Sequence, residues 1–217
     1  MIPKKNEMIN ALEMRHGKEL QERFSSATVA VCGLGGLGSN ISISLARAGI
    51  GKLILIDFDK VDITNLLRQQ YKATQIGMYK TDALSENLKE ISPYIELETH
   101  TVYVNEDNAK DLLKEADIIC EAFDKAECKA MLANTVLENM PDKFLISGSG
   151  MAGIASANTI KTRKVTDRFY ICGDGVSDVS DGIGLFSTRV MLCAAHQAHM
   201  VLRILANESK ERRNINE

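Results

Sequence analysis

Two stretches of the chain carry side chains whose types and spacing could do chemistry. AVCGLGGLGSN (30–40) holds Gly33, Gly35 and Gly38 in GxGxxG spacing, with Gly36 as an extra glycine. The first glycine lets the chain turn sharply, the second lets backbone approach a phosphate, and the third lets a helix sit close to a strand. A helix opening there offers unpaired N–H groups and a positive dipole end to an anion. DFDKVDITNLLRQQYKATQIGMYK (57–80) then supplies Asp57, Asp59, Asn65, Arg68, Gln69 and Lys80. Asp57 lies 19 residues beyond Gly38, close to the usual separation for a carboxylate that binds ribose hydroxyls. Asp57 and Asp59 share one face of a strand end. Asn65 and Arg68, three apart, meet if the chain makes a short helical turn.

The glycine turn alone suits any dinucleotide or adenine nucleotide, and a NAD-dependent oxidoreductase is its default reading. The second stretch breaks the tie. A nicotinamide enzyme already serves its pyrophosphate with the glycine turn and has little use for more cations. A triphosphate carries more charge and must be bent, clamped and split. That calls for Arg68 and Lys80 as counter-charges, Asn65 as a neutral donor, and a carboxylate for Mg²⁺. Asp124, after the fourth expected strand, supplies that carboxylate, because ligands gather at the C-terminal ends of parallel strands.

The elements that must position these residues alternate along the chain. Apolar runs at 28–33, 52–57, 94–102, 117–123 and 143–149 read as strands. Helical patterns fall at 39–49, 80–92, 106–116 and 125–140, with Ser39 or Asn40 near a cap and Gly49 and Pro141 as stops. This predicts an α/β fold: a Rossmann-like, doubly wound, mostly parallel sheet with helices on both faces. Residues 150–186 break the rhythm. GIASANTIKTRKV reads as a short antiparallel extension near the C-terminus, and RFYICGDGVSDVSDGIGLFS as a long Gly/Ser/Asp-rich loop. The apolar run 188–207 is a final helix. The chain thus divides into an N-terminal helical arm (1–26), a nucleotide-binding core (27–149), the extension, loop and last helix (150–207), and a tail (208–217) expected to fray.

GLGGLGS, LIDFDKVDITNLLRQQ, IGMYK and EAFDKAE together resemble the ThiF/MoeB family of adenylating enzymes, the bacterial relatives of ubiquitin-activating enzymes, over roughly residues 13–207. The DxDxVxxxNLxRQ element is far more specific than GxGxxG. LISGSGMAG and the ending ICGDGVSDV…CAAHQAHM resemble a compact ThiF-like branch associated with thiamine biosynthesis. The resemblance implies ATP and Mg²⁺. It implies a partner that is a small ubiquitin-like sulfur carrier protein ending in Gly-Gly, whose carboxylate attacks the α-phosphate to give an acyl-adenylate and pyrophosphate. By matching positions, Gly35 and Gly36 line the phosphates, Asp57 holds the ribose, Asn65, Arg68 and Lys80 grip the phosphates, and Asp124 binds Mg²⁺. Asp59 and Gln69 fall inside the same element. These relatives are homodimers in which an arginine near the N-terminus reaches the partner's ATP. Arg15 is the candidate and Arg23 the alternative. Adenylation of a carboxylate attached to tRNA, and a dimeric scaffold without turnover, are the other readings.

Composition narrows the classes. The chain has 217 residues and net charge −3, so no global basic field attracts nucleic acid. No apolar run approaches the ~20 residues that span a bilayer, and the polar N-terminus has no signal-peptide core. Five scattered cysteines, none in a CxxC pair, fit a reducing cytoplasm. Larger relatives carry two CxxC pairs for zinc; only Cys172 falls near the first, so no structural zinc is expected. Cys172 reads as a small apolar residue rather than a link to the carrier. His196 and His199 lack a third ligand and read as packing, as do Met191, Leu192, Met200, Val201, Leu202 and Leu205.

Overall fold

The computed structural model describes residues 2–213, apart from the side chains of 207–213. Helices Lys5–His16 (α1) and Lys18–Ser26 (α2) form an N-terminal arm. Strand Thr28–Cys32 (β1) leads through the glycine turn into helix Gly36–Ala48 (α3), and Lys52–Ile56 (β2) follows. Short 3-10 turns at Ile63–Leu67 and Ala73–Gln75 precede Lys80–Ile91 (α4) and Glu96–His100 (β3). Then come Ala109–Leu113 (α5), Ile118–Glu121 (β4), Ala126–Asn139 (α6) and Phe144–Gly148 (β5). Lys161–Lys164 (β6), Phe169–Gly173 (β7) and the long helix Ser187–Arg213 (α7) complete the chain. The tail drawn at 208–217 is helical as far as Arg213, and residues 214–217 lie outside the described residues. No helix among the described residues is long and apolar enough to cross a membrane.

The seven strands form one sheet in the order β3-β2-β1-β4-β5-β7-β6, parallel throughout except for the β6–β7 pair. Successive side chains of a strand point to opposite faces, so the sheet separates two cores. Val29, Val31, Leu53, Leu55 and Cys120 pack with Ile41 and Leu45 of α3 and with Val201 of α7. Ala30, Cys32, Ile54, Ile56 and Ile119 pack on the other side with Leu113 of α5 and Leu132 and Val136 of α6. The strand order reverses between β1 and β4, and the crevice at such a switch point is where ligands enter doubly wound sheets.

Two local expectations differ from the structure. Ser39 and Asn40 are not caps: α3 begins at Gly36, with Gly35 at the N-cap making no side-chain cap bond. Ser39 and Asn40 instead donate back to the carbonyls of Gly35 and Gly36 from inside the first turn. Residues 169–173, read as loop, form β7, which lies parallel to β5 and antiparallel to β6. Phe169, Tyr170 and Ile171 are strong strand formers, and the Gly/Asp-rich stretch that follows masked them.

Candidate active site

The site is assembled where β1, β2 and β4 end. Gly33 has φ of 89°, and a Cβ there would stand 2.8 Å from the Ala122 carbonyl oxygen. A Cβ on Gly38 would fall on the carbonyl oxygen of Gly33. Both positions therefore require glycine: the first for the turn out of β1, the third for seating α3 against it. The uncapped start of α3 leaves its first N–H groups available to an anion.

Asp57 follows β2 and is buried. Its Oδ2 accepts a 2.6 Å hydrogen bond from the Leu34 amide inside the glycine turn, and its Oδ1 accepts one of 2.8 Å from the Asp59 amide. Burial pushes the Asp57 carboxyl up, and the Lys80 charge and these two amides only partly offset it. Lys80 opens α4 and is itself only 6% exposed. Its Nζ lies 2.8 Å from Asp59 and 3.9 Å from Asp57. It is a buried cation between two carboxylates, not a solvated surface charge.

The 3-10 turn Ile63–Leu67 brings Asn65 and Arg68 together as their spacing required. Asp62 caps it through the Thr64 amide, and Asn65 Oδ1 accepts from the Asp62 amide at 3.0 Å. The Arg68 amide donates to the Asn65 carbonyl at 3.1 Å. Polar staples then fix this segment to the first turn of α3. Asn40 donates to the Arg68 carbonyl at 3.2 Å, Gln70 Nε2 donates to Asn40 Oδ1 at 2.7 Å, and the Tyr71 hydroxyl donates to the Leu34 carbonyl at 2.7 Å.

The Arg68 stem lies about the glycine turn: its Cγ is 3.5 Å from where a Cβ on Gly36 would stand, and Gln69 Nε2 is 3.7 Å from the same point on Gly35. Arg68 Nε and Gln69 Oε1 are buried with no hydrogen-bond partner. A buried polar atom left unpaired costs about 1–3 kcal/mol. Two of them on consecutive residues beside a glycine turn mark a place built for a polar ligand.

Asp124 sits in the exposed loop between β4 and α6. No group of three or more His, Cys, Asp or Glu side chains is arranged to hold a metal ion among the described residues. Mg²⁺ binds through one or two carboxylates plus substrate phosphates rather than an all-protein cage, so a single carboxylate at the mouth of the crevice fits it. All five cysteines are buried free thiols; burial pushes Cys172 up to about 11, which disfavours the reactive thiolate.

Arg15 and Arg23 have different environments. Arg23 donates to the Ala206 carbonyl at 3.0 Å and to Glu19 at 2.6 Å, tying α2 to α7. Arg15 is exposed at the end of α1. Its neighbour His16 pairs with Gln21, which in turn donates to the Gly49 carbonyl at the far end of α3. The arm thus meets the C-terminal end of α3, whereas the glycine turn lies at its N-terminal end, one helix length of roughly 20 Å away.

One buried pair was not foreseen. Arg189 of α7 donates to the carbonyls of Ala152, Ala155 and Ser156 and to Thr159, and meets Asp174 at 2.5 Å. It joins the loops that leave β5 and β7. Next to it, Val190 Cγ1 approaches within 2.9 Å of where a Cβ on Gly36 would stand. Burial pushes the Asp174 carboxyl up, but the amides of Ser177 and Val176, the Ser177 hydroxyl and Arg189 outweigh it and carry its pKa down to about 2. A depressed carboxyl stabilises the fold above its unfolded pKa of about 3.9. That contribution is lost as pH falls from there through 2. Urea midpoints followed between pH 6 and pH 2.5 are expected to drop in this window, and Asp174→Asn to flatten the drop. An unchanged profile in Asp174→Asn would show that other carboxyls set the acid limit.

The ThiF family model matches residues 9–217. Adenylyltransferase and sulfurtransferase MOCS3 of Culex quinquefasciatus is 35% identical over 136 residues, 62% of this chain and 31% of that protein. The match therefore spans less than a third of the relative's length. Among solved structures, Escherichia coli tRNA N6-threonylcarbamoyladenosine dehydratase TcdA in complex with ATP superposes with a TM-score of 0.86 at 19% identity, covering 97% of this chain and 99% of that one. Escherichia coli MccB with AMPCPP and its peptide MccA superposes at 0.68 with 23% identity, over 93% and 64%. These likenesses are of fold. With a family match over all but its first eight residues, the chain belongs to the ThiF family.

Proposed function

We propose that the protein is an ATP-dependent adenylyltransferase that activates the C-terminal Gly-Gly carboxylate of a small ubiquitin-like sulfur carrier, of the kind used to build the thiamine thiazole. The observation that carries this reading is the pair of unpartnered buried atoms, Arg68 Nε and Gln69 Oε1, beside the uncapped start of α3. The likeness to the adenylyltransferase and sulfurtransferase MOCS3, and the nucleotides in the two solved neighbours, support it.

In this reading Gly33, Gly35, Gly36 and Gly38 form the phosphate cradle and Asp57 takes the ribose. Asn65, Arg68 and Gln69 hold the phosphates. Lys80 is delivered to the same place by Asp59, which orients its ammonium. One carrier carboxylate oxygen attacks the α-phosphorus as the bond to the bridging oxygen breaks, and pyrophosphate leaves with that electron pair. The carboxylate is already ionised at pH 7, so no general base is required. Positioning and charge neutralisation do the work, as in phosphoryl transfer generally. Asp124 would hold Mg²⁺, which supplies further neutralisation of phosphate charge when bound.

The fold likeness to TcdA, a tRNA N6-threonylcarbamoyladenosine dehydratase, raises a second substrate, a carboxylate on tRNA. The net charge of −3 weighs against it.

A thermal-shift comparison tests the nucleotide. At 100 times its Kd, ATP with Mg²⁺ is expected to raise Tm by roughly 5–10 °C. NAD at the same concentration is expected to raise it less, because only a triphosphate engages Arg68 and Lys80 together. Equal or greater stabilisation by NAD overturns the ATP assignment.

A further inference from the structure

Glu121, the last residue of β4, has a fully buried carboxylate that the site described above does not use. Lys129 of α6 pairs with it, 3.1 Å from Oε1, and also donates to the Gly148 carbonyl at 3.0 Å. The Ser147 hydroxyl of β5 donates a short hydrogen bond to Oε2. Gln197 of α7 donates to the Glu121 and Ile146 carbonyls at 3.0 and 3.2 Å. Three elements, α6, β5 and α7, thus converge on one residue of β4.

Glu121 also reaches forward. Its Oε1 accepts a 2.7 Å hydrogen bond from the amide of Phe123, the residue before Asp124. The loop has little else to hold it. Asp124 is exposed, and α6 begins at Ala126 with no side-chain cap from Lys125. The Phe123 ring in turn packs 3.1 Å from where a Cβ on Gly33 would stand. A buried ion pair is commonly no more stabilising than well-packed apolar residues of the same volume. Apolar replacements could fill the space, but they could not hold the Phe123 amide.

We infer that Glu121, braced by Lys129 and Ser147, is a positioning residue that fixes the Asp124 carboxylate for its metal. This rests on the reading of Asp124 given above. Outer residues that orient a metal-binding carboxylate are worth about 10–100-fold in metal affinity or activity when altered.

The test uses the full chain with Glu121→Met, which keeps the length of the side chain and removes the oxygen that holds the Phe123 amide. Three quantities are read: the Mg²⁺ concentration for half-maximal pyrophosphate exchange, ATP affinity measured in EDTA, and hydrogen exchange of the 122–125 segment in the metal-free protein. The expected result is a rise of at least about tenfold in the half-maximal Mg²⁺, faster exchange at Phe123, and metal-free ATP affinity within about twofold of wild type, since the cradle is separate. A merely structural role would weaken ATP and Mg²⁺ together. If Glu121→Met does not fold, Ser147→Ala loosens the same carboxylate while leaving the ion pair, and the same split is expected at smaller amplitude. A folded Glu121→Met or Ser147→Ala protein with unchanged Mg²⁺ dependence overturns the inference. A wild-type protein with no exchange at all overturns the adenylation reading instead.

Discussion

Asp124→Ala is expected to lower carrier-dependent ATP–pyrophosphate exchange by on the order of 10³-fold while the fold stays intact. A bound metal contributes several kcal/mol of charge stabilisation, and each 1.36 kcal/mol is tenfold in rate. The separation of activity from stability follows from position. Asp124 is exposed, in a loop, and makes no hydrogen bond or ion pair among the described residues, so its loss should move stability by no more than about 0.5 kcal/mol. Side chains deeper in the site cannot give so clean a separation. Removing Lys80 would strand Asp57 and Asp59, which it neutralises from a buried position. Exchange at the wild-type rate in Asp124→Ala would remove that residue from the metal site.

The second large effect concerns Arg15. If it reaches the nucleotide of a second copy, Arg15→Ala is expected to cost on the order of 10³–10⁵ in rate, the range for arginines supplied in trans in other phosphoryl-transfer systems. The arm meets α3 at Gly49, the end opposite the glycine turn, which is why a second copy's nucleotide is the site proposed for Arg15. Mixing the two inactive proteins, Arg15→Ala and Asp124→Ala, then gives a distinctive outcome. In a mixed two-fold dimer, one site receives an intact arginine and contains an intact Asp124. An equimolar mixture that exchanges subunits should recover about one quarter of wild-type activity. No recovery would rule out the trans arrangement. Arg23→Ala is the companion measurement. Because Arg23 ties α2 to Ala206 of α7, its removal should lower stability more than rate.

Much of this architecture is legible in the chain itself. The glycine spacing, the buried runs of β1 and β2, and Asp57 at the expected distance all sit where the sequence places them, because strand–turn–helix units are specified locally. The Asn65–Arg68 turn is legible for the same reason. What is not legible depends on partners far away in sequence. Glu121 meets Ser147 and Lys129, and Arg189 meets Asp174; a charged residue read without its partner defaults to the surface. Each did leave a trace. Glu121 interrupts the apolar run DIICEAF, and Arg189 precedes VMLCAA. A charge embedded in an apolar run is solvated only if that run is exposed; once the run is buried, the charge needs a partner. β7 was missed because Gly173, Gly175 and three nearby aspartates, Asp174, Asp178 and Asp181, outweighed the strand formers before them. Its type and place make Lys80 a counter-charge for phosphate, and only the fold shows that Asp59 already engages it.

In the proposed function this cradle transfers the AMP of a bound triphosphate to a protein carboxylate. The most direct measurement is ATP–pyrophosphate exchange by the purified protein with Mg²⁺, in the presence of small Gly-Gly-ending carriers, the same carriers lacking the last glycine, and tRNA. Exchange that appears with an intact carrier and vanishes on truncation is the predicted result. Exchange driven by tRNA alone, or none with any carrier while ATP binds, would contradict the account.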